Sequence, residues 1–202
     1  MKVFTPDPCT PYRLCSFSSS RSCKLDGAKE VLVDVGIAAA RGGVNFSEYL
    51  DYVRRIWQKA RAELYIVVPD VFSDWKKTYQ NYLRYARELR RFGRVVYVTQ
   101  EFVLPQDVDA DVVALPGRQQ GPYRCSLHPL HCAYRIRWFL DEIYDWRAPV
   151  HLLGPAKREL IFLRTWGTLQ RIASLDTTAH HLRPSESASK ISGGKYMAES
   201  GY

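Results

Sequence analysis

Leu64-Tyr65-Ile66-Val67-Val68-Pro69-Asp70 and Arg94-Val95-Val96-Tyr97-Val98-Thr99-Gln100 enclose the stretch whose reading decides the fold. Each is a short apolar run ending in a polar side chain, the pattern of a strand buried on both faces of a parallel sheet. Between them, Trp75 to Phe92 has helical length and spacing, and Gly93 supplies a C-terminal stop. Strand, helix and strand in this order make a βαβ unit.

The alternation continues outward in both directions. Upstream, Val31-Leu32-Val33-Asp34-Val35-Gly36 reads as a strand, and Phe46 to Glu63 as a helix with Tyr49, Val53, Ile56 and Ala60 on one face. Downstream come a strand Asp111 to Gly117, a helix from about His131 to Tyr144, and a strand Val150 to Gly154. A helix near Ala156–Trp166 and a last strand Arg171 to Asp176 complete the series. Residues 1–30, rich in Pro, Ser and Cys, read as irregular, with one short strand around Leu14–Ser18.

Six or seven strands alternating with helices fit a (β/α) barrel or a doubly wound sheet. No Gly-x-Gly-x-x-Gly follows the first strand and no Walker sequence occurs, which lowers the nucleotide-binding doubly wound and P-loop readings. Polar residues at strand C-terminal ends favour the barrel, because barrels place their chemistry on that rim. The expected fold is therefore α/β, a compact (β/α) TIM-type barrel, either incomplete or with an irregular N-terminal part. One domain spans 1–183, and 184–202 is a Ser/Gly/Lys-rich tail expected to be flexible.

Composition agrees with one globular domain. The 202 residues are 46% hydrophobic and 25% charged, enough to build a core and too apolar for a disordered chain. No apolar run reaches the roughly 20 residues that cross a bilayer. Prolines and Asp7 interrupt the N-terminus where a signal peptide needs an unbroken apolar stretch. A soluble cytoplasmic protein is expected, with no membrane partner. Lys and Arg number 29 against 21 acidic residues, a net charge of +8 that suggests a polyanionic partner, DNA or RNA. The five cysteines, Cys9, Cys15, Cys23, Cys125 and Cys132, are odd in number and thinly spread, so no secreted disulfide framework is expected, while an intracellular disulfide stays open for a hyperthermophile source.

Asp34, Asp70, Gln100 and Asp176 each end a strand, and Gly117 ends another where bare backbone can approach a ligand. In a barrel these ends share one rim. Any single Asp there could simply cap the following helix. Three together, in register with Gln100 and Gly117, point to a site.

The order of these motifs resembles the tRNA-guanine transglycosylases and their DNA-modifying 7-deazaguanine relatives, which are (β/α)8 barrels. Val33-Asp34-Val35-Gly36-Ile37 stands where the family has Asp-Ser-Gly-Gly/Ala-Phe. Val67-Val68-Pro69-Asp70, Tyr97-Val98-Thr99-Gln100, Ala114-Leu115-Pro116-Gly117 and Val150-His151-Leu152-Leu153-Gly154 follow in family order. Ser174-Leu175-Asp176-Thr177-Thr178 matches the motif of the nucleophile. The resemblance implies base exchange that replaces guanine or a deazaguanine in nucleic acid, with no cofactor. Asp176 would attack the sugar C1′ and hold a glycosyl intermediate, and Asp34 would deprotonate the incoming base. Asp70, Gln100 and Gly117 would read a guanine or 7-deazaguanine base, and Phe72 or Tyr97 would either pack in the core, the favoured role, or stack on it. Arg118, Arg124 and Arg135 would meet backbone phosphate. The chain departs from the family in having Val35 and Ile37 in the first motif and Glu101-Phe102 after Gln100. It is shorter, and it lacks the Cys-x-Cys-x-x-Cys zinc ligands.

Two other classes compete with this reading. One is a non-catalytic basic barrel that binds nucleic acid. The other is an N-glycosidase or nucleoside hydrolase that uses the same carboxylates with water as acceptor. Cys125, His128, His131 and Cys132 have metal-like spacing, but Pro129 between them disfavours a tight chelate, and no metal is expected. His180 and His181, close after Asp176, read as helix-surface or phosphate-touching residues. Lys76, Lys77, Arg84, Arg87, Arg90 and Arg91 against Glu88 alone make either a solvated helix face or a phosphate-tracking surface, and Arg54, Arg55, Lys59 and Arg61 extend it.

Overall fold

Eight parallel strands lie in the order β1-β8-β7-β6-β5-β4-β3-β2 in a computed structural model, which describes residues 1–18, 23–36, 43–116, 129–142, 148–155 and 157–176. They are β1 Lys2–Phe4, β2 Tyr12–Ser16, β3 Glu30–Asp34, β4 Glu63–Val67, β5 Arg94–Val98, β6 Val112–Pro116, β7 Val150–Leu153 and β8 Ser174–Asp176. The sheet's two ends, β1 and β2, meet through one parallel bridge, Thr5 to Arg13, where Leu14 N donates to Thr5 O at 2.9 Å. The result is a TIM-like barrel, nearly closed, with one weak seam.

Four α-helices flank the described strands: α1 Phe46–Lys59, α2 Trp75–Leu89, α3 Pro129–Glu142 and α4 Lys157–Thr165. Local chemistry sets their starts. Asn45 and Asp74 cap α1 and α2, accepting from Ser47 N and Lys77 N at 3.1 and 3.0 Å. Gly93 follows α2 where the chain presses on β4, and a Cβ there would lie 2.5 Å from Leu64 O. Only glycine fits that approach.

The period of two divides the strand residues between two cores. Phe4, Leu14, Leu32, Val67, Val96, Val98, Val112 and Ala114 fill the barrel interior. Their neighbours in sequence, Val31, Val33, Ile66, Val95 and Tyr97, face outward under α1 and α2, while Val113, Leu115, Leu152 and Leu175 lie under α3 and α4. Tyr97 is therefore a packing residue between the sheet and α2, edge-on to Tyr82, and not the ring that stacks on a base.

Residues 1–30, read as irregular with one short strand around Leu14–Ser18, supply two strands: β2, which overlaps that reading, and β1. β1 is too short for any periodicity to show, and it becomes a strand by pairing with β8 through Val3 and Leu175. β2 carries a buried cation on its outward side, where Arg13 is only 2% exposed. Its guanidinium donates to the carbonyls of Lys24 at 3.1 Å, Asp26 at 2.9 Å and Asp7 at 3.2 Å. Carbonyls that gather round a buried cation offset its desolvation. Arg13 thus covers a flank where the described β1–β2 and β2–β3 connections carry no helix. Cys15 is bonded to Cys23, among the described residues a single bond and not a framework. Spacing in sequence does not reveal that the two Cα atoms lie 5.3 Å apart.

At the N-terminal end of the barrel, ion pairs form a floor. Lys2 Nζ lies 2.6 Å from Glu30 Oε1, and Arg94 Nε lies 2.5 Å from Glu63 Oε1. Tyr65 packs beneath both cations and edge-on to Phe4. The opposite end carries the polar strand ends.

Candidate functional site

Asp34 and Asp176 sit on interior positions, each two residues beyond an interior residue of its own strand, Leu32 and Ser174. Asp70 lies just past β4 and Gln100 just past β5. Gln100 Nε2 donates to Asp70 Oδ2 at 2.7 Å, and Ser73 N donates to Gln100 Oε1 at 3.0 Å. The amide is fixed at both ends, and among the described residues nothing takes its second N–H or its second acceptor position.

Asp34 is held at the turn that follows β3. Gly36 N donates to its Oδ2 at 3.1 Å. Gly36 has φ +81°, and a Cβ there would lie 1.9 Å from Ser18 Oγ and 2.4 Å from Ser16 Oγ. The Asp-Val-Gly sequence is thus a requirement of this turn, which folds an amide back on the carboxyl.

His151 and Ser174 complete the group, and the reading of strand ends did not include them among the site residues. His151, 2% exposed, lies on an interior position of β7, in register with Ala114 and Ser174. Its Nδ1 is 2.8 Å from Ser174 Oγ and its Nε2 is 3.3 Å from Asp176 Oδ1. Gly154 N donates to the same Oδ1 at 2.8 Å. With the proton on Nε2, His151 donates to Asp176 Oδ1 and accepts from the Ser174 hydroxyl. Asp176 Oδ2 takes no hydrogen bond from a described residue. A histidine inside the apolar run Val150-His151-Leu152-Leu153 was the available signal, because burial there demands partners.

Ser174 lies one layer below Asp176 and is buried beneath the imidazole. The Ser–His–Asp sequence of contacts therefore runs from the barrel interior up to Asp176, and the serine is no nucleophile for a ligand at the mouth.

The carboxylates act on one another. Burial, and then the negative charges of Asp70 and Asp176, push the Asp34 carboxyl up to about 8. Burial pushes Asp70 up to about 6, against the hydrogen bond from Gln100. Asp34 therefore keeps its proton at neutral pH, while Asp70 is largely ionised. Paired carboxyls with separated proton affinities can divide acid and acceptor roles.

Strained backbone frames the Asp70–Gln100 side of the mouth. Ser73, Glu101 and Phe102 have φ of 57°, 56° and 58°, left-handed conformations that non-glycine residues adopt at a cost of about 1 kcal/mol or more each. The β4 and β5 loops hold these conformations while Ser73 fixes Gln100.

Asp34, Asp70, Gln100 and Asp176 thus come together at one mouth. Arg135 stands on α3 with its guanidinium 5.8 Å from the Phe102 ring centroid, against the strained loop after β5. Phe72 is half-buried against the core under α1 and α2. Gly117, Arg118, Arg124, Cys125, His128, His180, His181 and the tail 184–202 lie outside the described residues. His131 is exposed and Cys132 buried on α3, so these two neighbours face different surroundings. No described helix is long and apolar enough to cross a membrane. No family model, curated protein or solved structure matches the chain.

Proposed function

We propose that the barrel mouth exchanges a guanine-type base on a nucleic-acid glycoside through a covalent intermediate on Asp176. The carrying observation is the protonated Asp34 carboxyl, held up to about 8 by burial and by the charges of Asp70 and Asp176 in the same mouth. A carboxyl that still holds its proton at neutral pH, next to a second, ionised carboxylate, is what cleavage of a C–N glycosidic bond requires.

The residues divide the reaction as follows. Asp176 Oδ2 attacks C1′ of the sugar, and the C1′–N bond breaks with its electron pair passing to the departing base. Asp34 gives that nitrogen its proton. The incoming base then returns a proton to the Asp34 carboxylate, its nitrogen attacks C1′, and the C1′–Oδ2 bond breaks to free Asp176. Asp34 is an acid first and a base second, a refinement of the base role that the family resemblance implies. Asp70 accepts from the ring N–H and exocyclic amine of the base, while Gln100 orients it. His151 and Gly154 hold Oδ1, which leaves Oδ2 to react.

The test is incorporation of radiolabelled guanine into tRNA, DNA and free nucleosides, with Asp176→Ala as the inactive control. Exchange in wild type alone supports the proposal. Release of free base without incorporation replaces transfer by hydrolysis. Nucleic-acid binding without either reaction leaves a binding module.

A further inference from the structure

We infer that the outer face of α2 is a docking stripe for the phosphate backbone of a single nucleic-acid strand, which it leads to the barrel mouth; this deepens the nucleic-acid reading above and rests on it. Lys76, Arg84 and Arg87 lie exposed on α2, and Arg91 in the turn after it. Spacings of three and four residues place Arg84, Arg87 and Arg91 on one side, and from Lys76 the row runs about 20 Å.

Several basic residues elsewhere on the surface are neutralised by an acid. Arg90 is taken up by Asp109 at 2.9 Å, Arg54 by Asp51 at 3.0 Å and Arg171 by Asp141 at 2.5 Å. Arg84, Arg87 and Arg91 make no ion pair with any described residue. Glu88, the acid nearest to the row, faces Arg54 at 3.8 Å. Cations left exposed and unneutralised in a row suit a polyanion whose charges repeat along a line. Arg84 also lies 5.3 Å from the Tyr85 ring centroid, and Tyr85 stacks on Phe46 at 3.7 Å, an arginine-on-ring surface of the kind single strands use.

The stripe points to the site because α2 starts at the mouth. Asn81 Nδ2 donates to Pro69 O at 2.9 Å, and Thr78 Oγ1 receives Val71 N at 2.9 Å. Both bonds tie the first turns of α2 to the loop that carries Asp70. A strand bound along the row has its end at Lys76, beside that loop.

The experiment is a salt titration of a short fluorescein-labelled single-stranded DNA, and its RNA counterpart, by anisotropy. Arg84→Gln/Arg87→Gln is compared with a charge-matched pair on the opposite side, Lys157→Gln/Arg158→Gln. The stripe variant should lose about tenfold in affinity, with the slope of log K against log salt shallower by about 1.4. The control pair should bind like wild type. Equal loss in both variants would mean net charge alone binds, and an unchanged stripe variant would also overturn the inference. Polyglutamate competing as well as the oligonucleotide would do so too, since the row would then accept any polyanion. Free guanine binding, measured on the same variants, should stay at the wild-type level. Absence of guanine binding in wild type strikes the base pocket and leaves the stripe to be judged on the oligonucleotide arms.

Discussion

Gln100 and Asp70, thirty residues apart in sequence, meet at 2.7 Å across the ends of β5 and β4, with the amide donating to the carboxylate. The bond joins the two loops that hold the strained residues Ser73, Glu101 and Phe102. It also sets which oxygen of Asp70 remains open to a ligand.

Base recognition should depend on the charge of Asp70. Asp70→Asn keeps the shape but removes the charge and, with Gln100 holding the amide oxygen, turns an N–H group toward the N–H-rich base edge, so guanine affinity should fall by about tenfold or more. Calorimetry with guanine and 7-deazaguanine checks this, and unchanged binding removes Asp70 from the pocket.

Acid stability gives a second handle. The folded-state affinity of Asp34 for its proton is raised from 3.8 to about 8, so between those values the folded state binds more protons than the unfolded one. Stability from this group is therefore greatest below about pH 4, falls as pH rises to about 8, and is level above that. Asp34→Asn removes the penalty. The variant should match wild type near pH 4 and exceed it by at least about 2 kcal/mol at pH 8. Urea unfolding at both pH values measures the difference, and a pH-independent gap would show that the carboxyl titrates normally.

Turnover should follow a bell between the two carboxyls. Exchange requires a proton on Asp34, lost above about 8, and none on Asp70, gained below about 6. In Asp34→Asn the alkaline limb should vanish together with most of the activity. A profile rising past pH 9 would assign the acid to another group.

His151 is a positioning residue for Asp176. His151→Phe keeps a ring beside Phe4, whose centroid lies 5.8 Å away, but drops the bonds to Asp176 and Ser174. The expected result is about a tenfold fall in kcat with KM nearly unchanged, and a stability loss of about 1–3 kcal/mol from the stranded Ser174 hydroxyl. Loss of stability alone, with full kcat, would confine His151 to packing.

The Cys15–Cys23 bond closes a short loop beside the mouth. A closed loop of this size contributes about 2.5 kcal/mol through the unfolded chain. Cys23→Ser should lower the free energy of unfolding in urea by that amount, and dithiothreitol should do the same to wild type while leaving Cys23→Ser unaffected.

The sequence alone determined the sheet's character and the residues of its rim. Val31 to Asp34, Glu63 to Val67 and Arg94 to Val98 are apolar runs bounded by polar or turn residues, and strand, helix and order follow from such local pattern. Asp34, Asp70, Gln100 and Asp176 stood out for the same reason, as polar side chains closing apolar runs. Only the tertiary structure decided what is non-local. β1 exists because β8 offers it a backbone, Arg13 is buried because no described helix covers that flank, and Cys15 reaches Cys23 across a turn. His151 meets Asp176 because barrel closure sets β7 against β8 in one register. The raised proton affinity of Asp34 likewise belongs to no single segment. It arises from burial and from charges that β4 and β8 bring to β3, and energies of that kind depend on distances that only the closed barrel fixes.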